Sequence, residues 1–174
     1  MSPAQRIATA AVMAALLGGA SGLAVAASPE APPPSQRNET WYQFRIYPES
    51  AAPARQLDVN GSGTVVVGVP DAKGERQQWS LSGIGGKLFV KNRATGTCLT
   101  APSGAQGSVT VRACDKNDVH QKWDLHYVKP GQAQIAPSNN LDLALTGGEQ
   151  LGSGVVLQPY VDVLDQQWFV RTVG

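Results

Sequence analysis

The sequence predicts an all-β domain with pseudo-threefold symmetry, and three observations carry that prediction. Gln77-Gln78-Trp79, Gln121-Lys122-Trp123 and Gln166-Gln167-Trp168 share one tripeptide pattern, with the tryptophans 44 and then 45 positions apart. A second marker keeps the same phase: Gly61-Ser62, Gly107-Ser108 and Gly152-Ser153 recur at spacings of 46 and 45. Glycines and prolines interrupt every window long enough for a helix of about 12 residues, and no apolar stripe at i, i+3, i+4, i+7 survives. A fixed period of this length marks a repeat architecture. The period alone also admits a propeller blade of four strands. Copy number decides between them, because propellers need four or more blades and this chain holds three units. Three units of four short strands close into one barrel, a β-trefoil.

The first 27 residues are set aside from that domain. Arg6 is followed by an unbroken run of apolar or small residues from Ile7 to Leu17, and Ala24-Val25-Ala26 offers a small-x-small cleavage pattern. This combination describes a secretory signal peptide. The alternative, a membrane anchor, needs about 20 apolar residues, more than this run supplies. Residues 28–39 read SPEAPPPSQRNE, a proline-rich polar spacer. The domain is expected over 40–174, with repeats at about 40–86, 87–131 and 132–174. The expected location is extracellular, by way of the cleaved leader.

Removing the leader removes Arg6 and no acid, leaving thirteen basic and thirteen acidic residues. A neutral balance argues against nucleic acid or an anionic membrane as the partner, since both demand excess Lys and Arg. The two cysteines, Cys98 and Cys114, suggest a disulfide in an exported chain, the alternative being two buried thiols. With two His and no close Cys pair, no metal site or cofactor is expected.

Within the domain, Tyr42–Ile46, Thr64–Val67, Leu88–Val90, Val109–Val111 and Gly154–Leu157 read as strands. Residues 97–114 and 143–160 align without a gap, matching Leu-Thr, Gly-Ser and Val109 with Val155, while the first unit enters through Gln56-Leu57-Asp58-Val59 with a shorter loop. Trp79, Trp123 and Trp168 are expected in the shared core, where each indole buries roughly 150–250 Å². Gln77, Gln121 and Gln166, two residues before each Trp, are expected on the same strand face, bonding turn backbone that no ladder satisfies.

These residues resemble the ricin-B, or R-type, lectin family, over about 135 residues from Thr40 to Gly174. The resemblance implies a Cys98–Cys114 bridge within one repeat and a shallow sugar site in each repeat. Such a site uses an Asp, an aromatic platform, and an Asn beside the Gln of the tripeptide. Carried over repeat by repeat, the set is incomplete. Asp58 fills the Asp position of the first unit, with the platform near Gly68 and Arg76 in place of Asn. In the second unit the three positions hold Thr100, Arg112 and His120. In the third they hold Thr146, Gln158 and Asp165, with Tyr160 two positions past the platform and matching Cys114. The candidate carbohydrate-binding residues are therefore Asp58, Arg76 and Gln77 in the first unit and Gln158, Asp165 and Gln166 in the third, the first unit being preferred for its carboxylate.

Other constellations have plainer readings. Gly83-Ile84-Gly85-Gly86-Lys87 departs from a phosphate loop, with Leu81 at the earlier Gly and Leu88 at the Ser or Thr, and reads as a hairpin turn. His120 and His126 read as solvent-facing, and Asp162 and Asp165 as turn formers. Asn38-Glu39-Thr40 and Asn60-Gly61-Ser62 match the glycosylation pattern by chance. No nucleophile elbow is present, so no catalytic site is expected. The expected function is binding an extracellular glycan or glycoprotein through degenerate sites. The alternative is a protein-binding trefoil of the inhibitor or toxin-accessory kind.

Overall fold

The computed structural model describes residues 39–46, 54–71 and 73–173. The expected leader, nearly all of the spacer and Asn38 lie outside the described residues. Among the described residues twelve strands follow one another: β1 (Trp41–Ile46), β2 (Gln56–Val59), β3 (Val65–Gly68), β4 (Trp79–Ile84), β5 (Lys87–Asn92), β6 (Cys98–Thr100), β7 (Thr110–Arg112), β8 (Trp123–Lys129), β9 (Gln132–Pro137), β10 (Leu143–Thr146), β11 (Val156–Pro159) and β12 (Trp168–Thr172). Three short 3-10 turns, Glu75–Gln77, Val119–Gln121 and Leu164–Gln166, each lead into a Trp-initiated strand.

Antiparallel pairing runs β1 to β12, β12 to β9, β9 to β8, β8 to β5, β5 to β4, and β4 back to β1. These six strands therefore close into a barrel, which leaves no free edge around the ring. The other six form three hairpins, β2–β3, β6–β7 and β10–β11. The hairpins are joined by a cyclic exchange of backbone bonds. Val65 N–H donates to Val109 C=O (3.0 Å), Val109 N–H to Val155 C=O (2.9 Å), and Val155 N–H to Val65 C=O (2.9 Å). All three valines are fully buried. This ring of amides marks the pseudo-threefold axis.

The exchange explains where strand boundaries depart from expectation. Val109 and the Gly154-Val155 pair lie just outside β7 and β11 because their backbone groups bond a neighbouring repeat rather than their own hairpin. Between β4 and β5, Gly85 (φ +60°) and Gly86 (φ +79°) form the turn. Positive φ at both central positions is what a two-residue I′ hairpin requires, in agreement with the turn read from the sequence.

Trp79, Trp123 and Trp168 are fully buried in one cluster with Phe44, Leu57 and Leu145. Each indole Nε1 donates to the carbonyl of a hairpin leucine: Leu57 at 3.5 Å, Leu99 at 3.0 Å and Leu145 at 2.9 Å. A buried indole N–H needs such a partner, and here the bond ties each barrel strand to its own hairpin. Among the described residues, no helix is long and apolar enough to cross a membrane.

Candidate functional site

The glutamine of each tripeptide makes the same set of bonds. It occupies the end of a 3-10 turn, not the strand face expected from the sequence, because the chain must turn inward before each Trp. Gln121 Oε1 accepts from Asp115 N–H, while Nε2 donates to Ala113 C=O and to Thr100 Oγ1. Gln166 Oε1 accepts from Val161 N–H, and Nε2 donates to Pro159 C=O and Thr146 Oγ1. Gln77 Oε1 accepts from Asp71 N–H, and Nε2 donates to Val69 C=O and Asp58 Oδ2. A glutamine amide has two hydrogens, and both are used within the protein in all three repeats. Gln77 and Gln166, put forward as ligand contacts from the sequence, thus have no hydrogen left to donate to a sugar.

The register places the remaining candidates at equivalent points. Gly68, Arg112 and Gln158 stand opposite Gln56, Cys98 and Ala144 in the three hairpins. Asp58, Thr100 and Thr146 all accept from the tripeptide glutamine. What surrounds these points differs from repeat to repeat.

In the first repeat the site is folded in on itself. Asp58 Oδ1 accepts from Val59 N–H (2.7 Å) and Oδ2 from Gln77 Nε2 (2.8 Å). A Cβ at Gly68 would run into Asp58 Oδ2 and Gln77 Nε2, so a side chain at the platform position would have to displace that bonded pair. Arg76 is exposed. Asp58→Ala should therefore act on stability, lowering it by about 1 to 3 kcal/mol because a Gln77 N–H loses its acceptor. Asp58→Thr should recover much of that loss in urea unfolding, since threonine does this task in the other two repeats. Unchanged stability in Asp58→Ala would contradict the assignment.

In the third repeat Asp165 is taken by an ion pair with Arg55 (2.9 Å), and Arg55 also donates to Gly148 C=O (2.9 Å). Gln158 is exposed. Tyr160 donates its hydroxyl to Asp162 Oδ1 (3.1 Å), which also accepts from Gln167 Nε2 (2.7 Å). Burial first, and then the Asp162 carboxylate, holds the Tyr160 hydroxyl above its ordinary pKa. Asp162 itself has φ +52°, a left-handed turn position that Asp tolerates, whereas the side chain of Asp165, read from the sequence as a turn former, goes to Arg55.

The second repeat holds an open cleft of about 160 Å³, lined by Thr100, Ala101, Pro102, Ser103, Arg112, Asp118 and His120. The three residues aligned to the family's site positions, Thr100, Arg112 and His120, are thus brought together. His120 is half-buried, with Nδ1 enclosed and without a hydrogen-bond partner, rather than solvent-facing as the sequence suggested. The cause is local. Asp118 Oδ1 accepts His120 N–H (2.9 Å) and caps the 3-10 turn, which folds the imidazole against the hairpin. Asp118, Ala101, Pro102 and Ser103 were not singled out in the sequence, and no spacing connects them. Sequence had singled out His126, which is exposed. Among the described residues, no group of three or more His, Cys, Asp or Glu is placed to hold a metal ion.

Comparison with known proteins follows this geometry. The profile of the ricin-type β-trefoil lectin domain matches residues 87–174. No curated protein sequence matches the chain. Among solved structures, the designed threefold-symmetric protein ThreeFoil superposes with a TM-score of 0.64 at 20% identity, covering 75% of this chain and 96% of that one. A ricin B-like lectin of Macrolepiota procera, solved with lactose, gives 0.62 at 16% identity, covering 75% and 93%. A mosquitocidal holotoxin gives 0.65 at 15% identity, covering 76% of this chain but only 16% of the toxin. The chain belongs to the ricin-type β-trefoil lectin domain family, a carbohydrate-binding family.

Proposed function

We propose that the chain is a secreted, non-catalytic carbohydrate-binding module that works through the second-repeat cleft, with degenerate sites in the other two repeats. The observation that supports this reading most is the cleft itself, which opens where the aligned site residues Thr100, Arg112 and His120 meet. Its volume is well below the roughly 300–1,000 Å³ of sites for drug-sized ligands, a scale that suits a single sugar ring. Around Asp58 and around Asp165 the equivalent polar groups are spent on Gln77 and Arg55. With no aromatic platform in the cleft, affinity for a neutral sugar should be no better than about millimolar. The leader-like N-terminus supports export.

The test is a glycan array probed with the exported protein, its N-terminus first identified by mass spectrometry. Export predicts a chain starting at Ala27 or Ser28, and the cleft predicts weak binding to particular sugars. Met1 still attached would overturn the export part, and binding to no glycan at millimolar concentration would overturn the lectin part. One observation favours the protein-binding alternative. Val161, Val163 and Leu164 are 66%, 44% and 48% exposed on one loop of the third repeat, and exposed apolar groups gathered in one place suit a protein contact.

A further inference from the structure

We propose that the second-repeat cleft selects an acidic sugar, a pyranose bearing an anionic substituent. The inference rests on the carbohydrate-binding reading and names the ligand class of that same cleft. It starts from what the cleft no longer offers. Thr100 Oγ1 donates to Cys98 C=O (2.9 Å) and accepts from Gln121 Nε2 (3.3 Å), and the residue is 2% exposed. The hydroxyl therefore serves the scaffold. Compared with a carboxylate at this position, it also puts no negative charge beneath the ligand.

What the cleft does offer is a guanidinium. Arg112 is exposed on the cleft wall and makes no ion pair or hydrogen bond among the described residues. Elsewhere Arg55 is engaged by Asp165 and Arg93 by Glu75. An unpaired guanidinium is a planar fork of donors matched to carboxylate or sulfate, and charge-assisted bonds are about twice as strong as neutral ones. Such a bond offsets the missing aromatic stack. Asp118 also lines the cleft but forms no ion pair with Arg112 among the described residues, so the guanidinium stays open to a ligand. One oxygen of Asp118 holds the His120 amide in its cap, and the carboxylate's remaining capacity accepts ring hydroxyls. The cleft thus pairs a cation for the anionic substituent with an acceptor for the hydroxyls.

The test compares galactose, galacturonic acid and galactose 6-sulfate, which differ only at the sixth carbon, by calorimetric titration of the folded protein at low and high salt. We expect one or both acidic sugars to bind about tenfold more tightly than galactose at low salt, a difference of about 1.4 kcal/mol. Tighter galacturonic acid identifies a carboxylate as the preferred group, and tighter galactose 6-sulfate identifies a sulfate. Arg112→Gln, at an exposed position where folding is not at stake, should erase the preference, so that the acidic sugars bind no more tightly than galactose does to the same variant. High salt should do the same to the wild type. Galactose binding as tightly as both acids, or an acid preference that survives Arg112→Gln, would overturn this inference while leaving the lectin reading intact. Binding of none of the three, nor of any arrayed glycan, would overturn both.

Discussion

Replacing Trp123 with alanine should lower the unfolding free energy by about 3 to 5 kcal/mol, the range for large aromatic truncations in a packed core. The indole is fully buried and lies in the same cluster as Trp79 and Trp168, so its removal opens a cavity in the core that the three repeats share. The change also strips a donor from Leu99 C=O, now bonded at 3.0 Å. Phenylalanine variants separate the two contributions. Trp123→Phe keeps most of the volume and loses the bond, whereas the Trp79 bond is already long at 3.5 Å. Denaturant unfolding should therefore rank Trp123→Phe below Trp79→Phe, with both far above Trp123→Ala. Loss of sugar binding in Trp123→Ala with an unchanged melting temperature would show instead that the indole is a ligand platform.

The same tryptophans show what was legible beforehand. Their regular spacing survives in the sequence because three equivalent points of one core must each be filled by a large side chain with a donor. The tripeptide glutamine survives for a similar reason, since it satisfies two backbone groups in a turn that the ladder does not reach. Its placement on a strand face was wrong because a two-residue spacing looks the same whether the chain is extended or turning. Strand ends were misplaced near Val109 and Val155, where backbone bonds run to a different repeat. Nothing in a local pattern reports an inter-repeat bond.

The site was less legible than the scaffold. Residue types at the aligned positions could be read, and they made the first repeat attractive because Asp58 alone is acidic there. Whether a carboxylate faces ligand or scaffold depends on its neighbours, and Asp58 turns both oxygens to Val59 and Gln77. In the second repeat the aligned residues looked unpromising one at a time. The cleft arises from Pro102 and Ser103 after β6 and Asp118 before the 3-10 turn, brought together only by folding.

Breaking the Cys98–Cys114 disulfide should lower stability by about 3 kcal/mol, the chain-entropy expectation for a loop of this length. The bond spans 16 positions, with Cα atoms 5.0 Å apart. It is special to one repeat: the matching positions hold Ala144 and Tyr160 in the third unit. The stapled loop carries most of the cleft, since Thr100, Ala101, Pro102, Ser103 and Arg112 all lie between the two cysteines. Arg112 is also the register partner of Cys98. The double variant Cys98→Ser/Cys114→Ser avoids leaving a free thiol and should lose about the full amount in urea unfolding. Reductant should lower the wild-type midpoint by a similar step and leave the double variant untouched. Sugar binding should weaken as well, because the loop that carries most of the cleft then loses the covalent tie between its two ends. A wild-type protein that titrates two thiols without reductant, or a midpoint indifferent to reductant, would remove the staple from this account of stability.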